Sequence, residues 1–251
     1  MKLFTPDDRE HVRARLLELA REDDRITGAA LTGSAAEGTE DRWSDVDVFL
    51  GVADGVDHEH VLAEWSELIY EELGVLHHWD VRSGAAVYRV FLLPNCLQVD
   101  VAFVPAADFG ARGPKFRTVF GSPVKREHVP PPAFDDLAGL GWLSILHSRA
   151  SIERGRAWQA EYWVSSVRDQ TLALACLRLG VPAFYAKGIH RLPTEVTLPL
   201  GETLVHSLEP EELRRALRAA ARCFLDELRL HDPGLADRLV SLLEFTCSDD
   251  D

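Results

Sequence analysis

The sequence predicts an α/β N-terminal domain with a mixed sheet, followed by an all-helical C-terminal domain. Three observations predict this. Short apolar runs alternate with amphipathic stretches up to residue 104, the pattern of strands interleaved with helices. A break over 105–133 contains Gly110, Gly113, Pro114, Gly121, Pro123 and Pro130-Pro131-Pro132. Beyond it the periodicity is helical almost throughout. The expected boundaries are 1–108 for the α/β domain, 109–133 for a linker, 134–247 for the helical domain and 248–251 for a disordered acidic tail.

Residues 8–22 form an amphipathic helix with Val12, Leu16, Leu17 and Leu19 on its apolar side and Asp7 and Asp8 near its N-terminus, where carboxylates complement the helix dipole. Ile26–Thr32 reads as a buried strand, 34–38 as a short helical turn and Asp45–Leu50 as a second strand. Gly51–Gly55 is a loop, and 58–73 is a helix that turns Val61, Leu62, Trp65, Leu68 and Ile69 inward. Val87–Leu93 and Leu97–Val104 are strands joined by a turn at Pro94-Asn95. The back half reads as helices at 134–154, 158–179, 209–230 and 233–246, with Leu179-Gly180-Val181-Pro182 as a helix stop.

The 251 residues are enough for one large or two small domains, and 46% are hydrophobic. The start, Met1-Lys2-Leu3-Phe4-Thr5-Pro6-Asp7-Asp8, turns acidic too early for a secretory signal. No apolar run approaches the ~20 residues a membrane span needs. Cys96, Cys176, Cys223 and Cys247 show neither close pairing nor metal-ligand spacing, so reduced thiols and a cytoplasmic location are expected. A net charge of −14 argues against long nucleic acid and anionic membranes as partners. It suits a small substrate, and an acidic cleft would attract a cationic one.

Chemistry concentrates in Leu31-Thr32-Gly33-Ser34 and, ten residues on, Ser44-Asp45-Val46-Asp47. Alternate residues of a strand share a face, so Asp45 and Asp47 point the same way, ~7 Å apart along the backbone. Like charges so placed repel, and a divalent metal relieves them. A further carboxylate, Asp100, lies among apolar neighbours in Leu97-Gln98-Val99-Asp100-Val101-Ala102-Phe103. It needs a partner, either the metal site of Asp45 and Asp47 or an arginine such as Arg82 or Arg89.

Gly33-Ser34, Asp45-Val46-Asp47 and Asp100 on a later strand together resemble the nucleotidyltransferase superfamily typified by DNA polymerase beta, over residues 26–104. The length and the helical back half resemble the antibiotic nucleotidyltransferases that act on aminoglycosides and lincosamides, in size and layout rather than by a matched motif. The resemblance implies an enzyme in which Asp45, Asp47 and Asp100 hold two Mg2+ ions and the Gly33-Ser34 turn binds the phosphates of ATP or another NTP. A nucleoside monophosphate, with AMP the first expectation, would pass to a hydroxyl of a small acceptor, with an antibiotic as the specific expectation. Asp100 would take the hydroxyl proton, or a separate carboxylate would do so. Ser44 either joins the nucleotide site or caps the turn before its strand.

Helix 158–179 is apolar on most sides, with Trp158, Tyr162 and Trp163 among its large residues, so burial is expected. Glu161, Ser165, Arg168 and Asp169 share one face of it. Glu161 can act as general base or acceptor-binding carboxylate and Arg168 as a phosphate ligand; the alternative is an ion pair among Arg168, Asp169 and Glu161. Lys187 is another candidate phosphate contact, as are the five basic residues Arg112, Lys115, Arg117, Lys125 and Arg126, in a stretch from Phe109 to Arg126 that holds no acidic residue. His77-His78-x-Asp80 has metal-like chemistry without a third ligand, so packing is the expected role. The competing functional class is a regulatory nucleotidyltransferase-type antitoxin acting on a protein partner. Such antitoxins resemble the front half alone, and the sequence contains no Arg-x(4–6)-His spacing of the kind their toxin partners carry.

Overall fold

The first helix shows how closely local chemistry sets the elements. Thr5 and Asp8 cap each other: the Asp8 amide donates to Thr5 Oγ1 (3.2 Å) and the Thr5 amide to Asp8 Oδ2 (2.8 Å), with Pro6 opening the helix. In the computed structural model, which describes residues 2–247, this helix is α1, Pro6–Glu22. The expected tail 248–251 lies outside the described residues. The chain divides into two units, Met1–Val129 and Pro130–Asp251.

The first unit continues with β1 (Ile26–Thr32), α2 (Gly33–Glu37), β2 (Val46–Val52), α3 (His58–Leu73), β3 (His77–Ser83), β4 (Ala86–Leu92), β5 (Gln98–Pro105) and β6 (Phe116–Phe120). Six strands form one sheet in the order β3-β4-β5-β2-β1-β6. The sheet is mixed, as expected: β2 and β5 run parallel at its centre and the other pairs are antiparallel. One face packs on α1 and α3 through Leu16, Val61, Trp65, Ile69, Val48, Leu50, Val99 and Val101, all buried. The other face carries a smaller aromatic cluster of Phe49, Tyr88, Phe109 and Phe116, with Phe49 and Phe116 edge to face at 5.7 Å.

Two strands depart from the expectation. β3 alternates exposed and half-buried residues at the sheet edge and offers no apolar run to signal a strand. β6 lies inside the Pro/Gly-rich stretch read as linker, yet Ala30, Leu31 and Thr32 pair with Thr118, Arg117 and Phe116. The 109–133 segment is therefore partly sheet.

The second unit contains α4 (Phe134–Glu153), α5 (Ala157–Arg178), the single turn α6 (Thr194–Thr197), α7 (Pro210–His231) and α8 (Pro233–Cys247). Gly141 lets α4 approach α7 closely, because a Cβ there would collide with the Phe224 ring. Within the core, Arg178 Nε and Nη2 donate to the buried Glu227 carboxylate at 2.7 and 2.9 Å. The expected burial of α5 holds for one face only. Ala160, Val164, Val167, Thr171 and Leu174 are buried, whereas Trp158 and Tyr162 are 76% and 63% exposed. The helix packs along an i, i+4, i+7 stripe, and the aromatics fall off it.

Asp23 ties the end of α1 to β1 and α3. It accepts hydrogen bonds from Arg25 Nε and Nη2 (2.8 and 2.9 Å) and from Trp65 Nε1 (2.8 Å). The Arg25 guanidinium, followed by the indole N–H, holds this carboxyl at about 2, below its ordinary value, against the opposing effect of burial. A lowered native value means that the charged form stabilises the fold above about pH 4 and that this stabilisation is lost as pH falls towards 2. Its size is about 2 kcal/mol. Asp23→Asn is expected to lower the melting temperature most at neutral pH, with the gap to wild type closing between pH 4 and 2 in thermal scans.

Candidate active site

The parallel pairing of β2 with β5 sets Asp47 directly beside Asp100. Asp45 immediately precedes β2, one residue outside the strand expected to include it. Oxygen atoms of Asp45, Asp47 and Asp100 lie within 4.8 Å of one another, and all three residues are half-buried. Two carboxylates 4 Å apart repel by ~4 kcal/mol at an effective dielectric of ~20, so this grouping favours a bound cation. A set of oxygen donors alone suits a hard divalent ion such as Mg2+. Gln98 Nε2 donates to both Asp100 oxygens, at 3.0 and 3.2 Å, and orients that carboxylate.

Gly33 begins α2 with φ +60°, and a Cβ at this position would collide with the Asp47 carboxylate. Only glycine brings the backbone this close to the acidic group. Ser34 follows in the first turn of α2, which ends after five residues at Gly38 in the left-handed conformation. The Gly33-Ser34 turn and the three aspartates are thus brought together.

The loop before Asp45 is held by groups that no sequence pattern had marked. Arg9 of α1 is buried and donates to the Asp41 and Ser44 carbonyls at 2.6 and 3.2 Å, while Arg9 Nε and Arg13 Nη1 lie 3.1 and 2.7 Å from Glu40. Ser44 Oγ accepts from the Asp41 amide (2.9 Å) and donates to Asp41 Oδ1 (3.1 Å), so it closes the turn before β2. The Trp43 amide and the Ser44 hydroxyl lower the Asp41 carboxyl below its ordinary range.

The arginines weighed as partners for Asp100 are engaged elsewhere: Arg89 grips Asp80 with two bonds of 2.7 Å, and Arg82 reaches Glu59 at 2.8 Å. Within His77-His78-x-Asp80, His78 shares a 2.9 Å hydrogen bond with the Tyr70 hydroxyl and Asp80 is held by Arg89. The basic run disperses: Lys115 pairs with Glu37 (2.8 Å), Arg117 donates to the Ala35 carbonyl (3.1 Å), Arg126 pairs with Asp108, and Arg112 reaches Ser83. In the second unit, Glu161 accepts from Ser165 Oγ at 2.7 Å, and Arg168 Nε lies 4.0 Å from Asp169. Lys187 ends the 3-10 turn Phe184–Ala186.

Residues 13–110, a segment that includes Gly33, Ser34, Asp45, Asp47 and Asp100, match the family described as nucleotidyltransferase domain. The site therefore sits in an enzyme of the nucleotidyltransferase class. Among solved structures, the chain is similar to an aminoglycoside 6-adenyltransferase from Bacillus subtilis, at 14% identity over 93% of this chain and 96% of that one, with a TM-score of 0.43. So loose a superposition transfers no substrate or residue role. No curated protein sequence matches the chain. No helix among the described residues is long and apolar enough to cross a membrane.

Gly33→Ala is expected to displace Asp47 and weaken Mn2+ or Mg2+ binding at least tenfold, measured by calorimetric titration, while the far-ultraviolet circular dichroism stays that of wild type.

Proposed function

We propose that the protein transfers a nucleoside monophosphate, first of all AMP, from an NTP to a hydroxyl group of a small molecule, in a Mg2+-dependent reaction. The observation that carries this reading is the meeting of Asp45, Asp47 and Asp100 within 4.8 Å, beside a glycine whose backbone lies against Asp47. These three residues would hold two divalent ions. Bound there, the ions supply positive charge to the triphosphate and the departing pyrophosphate. Ser34 Oγ and the Gly33 and Ser34 amides bind phosphate oxygens. Ser44 supports the site through the turn it closes, and Arg168 and Lys187 are further phosphate ligands.

In the reaction, the acceptor oxygen forms a bond to the α-phosphorus. The bond from that phosphorus to the bridging oxygen breaks, and pyrophosphate leaves with the electron pair. Asp100, oriented by Gln98, takes the hydroxyl proton, or Glu161 does so from its hydrogen bond with Ser165. An antibiotic-like acceptor suits the resemblance of the chain to antibiotic nucleotidyltransferases, and the acidic balance of the sequence suits a cationic one. Supply of ATP, together with free Cys96 and Cys176, suits the cytoplasm.

Incubation with each labelled NTP, Mg2+ and a panel of aminoglycosides and lincosamides tests the reading by mass spectrometry, which detects a nucleotide on a compound or on the protein. Asp47→Asn is expected to reduce pyrophosphate release at least a hundredfold without changing the melting temperature of the metal-free protein by more than a few degrees. Undiminished release in this variant would refute the metal assignment. Glu161→Gln is expected to lower kcat at least tenfold with the nucleotide Kd unchanged and to remove one ionisation from the pH–rate profile if Glu161 is the base; an unaltered profile leaves that role to Asp100.

A further inference from the structure

The strand registers extend the acidic row across the sheet. Asp47 pairs with Asp100, Asp100 with Val90, and Val90 with Trp79. Directly paired residues share a face, so these four side chains form one row on the face opposite α1 and α3. The neighbouring pair Asp80–Arg89 confirms the orientation, because Arg89 also donates to Ser66 of α3 at 2.6 Å and so lies on the helix side. Trp79 is 66% exposed, and it stands two strands, about 10 Å, from Asp100 with only Val90 between. An exposed indole beside a carboxylate group is unexplained by packing.

The strand order gives this row a direction. Gly33 and Ser34 follow β1, on one side of Asp47 and Asp100, while β4 and β3 lie on the other. If the Gly33-Ser34 turn holds the leaving pyrophosphate, in-line displacement requires the attacking hydroxyl to approach from the opposite side of the α-phosphorus. That side is the one on which Val90 and Trp79 stand.

We infer that Trp79 is the acceptor platform: a cyclic hydroxylated molecule lays an apolar ring face on the indole and extends its reacting hydroxyl over Val90 towards Asp100. This rests on the nucleotidyl-transfer reading for its direction. A ring with hydroxyl groups at its rim and C–H groups on its face matches the surroundings, since the indole supplies the flat apolar contact and the Gln98 amide, beside Asp100 on the same strand, supplies polar ones. Trp79 positions the acceptor and takes no part in proton transfer. An acyclic polyol lacks the ring face and gains little there.

The test uses the full chain with Mg2+ and a non-hydrolysable ATP analogue, titrated with the aminoglycoside and lincosamide panel and with glycerol as the acyclic control. The indole N–H signal of Trp79, assigned by its disappearance in Trp79→Phe, is followed by NMR. At least one cyclic compound is expected to shift this signal and glycerol to leave it in place. Trp79→Ala is expected to weaken binding of that compound at least tenfold, with the ATP-analogue Kd within twofold of wild type, and Trp79→Phe to stay within threefold. A cyclic compound that binds Trp79→Ala as well as wild type, or a Trp79 signal that no cyclic compound moves, overturns the platform. Pyrophosphate release reports the underlying reading separately: a shifted Trp79 signal without nucleotide transfer removes the reading and keeps the binding site, whereas transfer with an unchanged acceptor KM in Trp79→Ala removes the platform alone.

Discussion

The parallel register of β2 with β5 is the constraint on which the site depends. It sets Asp47 and Asp100 side by side at the start of their strands and leaves their repulsion to be met by what surrounds them. Each neighbouring feature acts on that grouping. Gly33 gives up its side chain where Asp47 needs the space, Gln98 steadies Asp100, and Arg9 fixes the loop that delivers Asp45. A slip of one residue between β2 and β5 would send one of the two carboxylates to the helix-covered face. The apolar residues Val46, Val48, Val99 and Val101, buried on that other face, hold the register against such a slip.

Much of this was legible in the sequence because the signals are local. A Gly-Ser turn, a spaced pair of aspartates and a lone aspartate in an apolar strand are each visible without knowing the fold, and the helices followed from their periodicity. The parallel pairing that joins Asp100 to Asp47 is not local, since 53 positions of chain separate the two residues by the difference of their numbers (100 − 47). From the residues alone Asp100 could join the two aspartates or an arginine, and nothing in the sequence marks the pairing as parallel. Arg9 was missed for the same reason: its partners lie more than thirty residues away, and an arginine in an amphipathic helix carries no mark of burial. β3 and β6 escaped because edge strands need bury only part of one face, which leaves their sequences polar or broken by turns.

The aromatic residues show the opposite limit. Trp158 and Tyr162 look like core in sequence and stand exposed, as does Trp79. Hydrophobicity alone cannot separate a residue that fills a core from one that offers a surface; only the stripe it falls on can. In α5 the buried stripe runs through Ala160, Val164, Val167 and Thr171, residues small enough to bring helices close. In β3 the alternation places Trp79 on the acidic face and Asp80 on the helix face, the reverse of what polarity alone would suggest.

That inversion links the fold to the chemistry. On the helix side, Asp80 is satisfied by Arg89, whose guanidinium lowers the Asp80 carboxyl below its ordinary range, so a charge can sit against α3. The ion pair pins β3 to β4 and fixes which residues of β3 face the other way. An indole is thereby committed to the row that ends in Asp100 and Asp47. The same sheet that assembles the carboxylates by register thus also sets an apolar surface at a fixed distance from them, and substrate choice can change at the edge strand without disturbing the pairing at the centre.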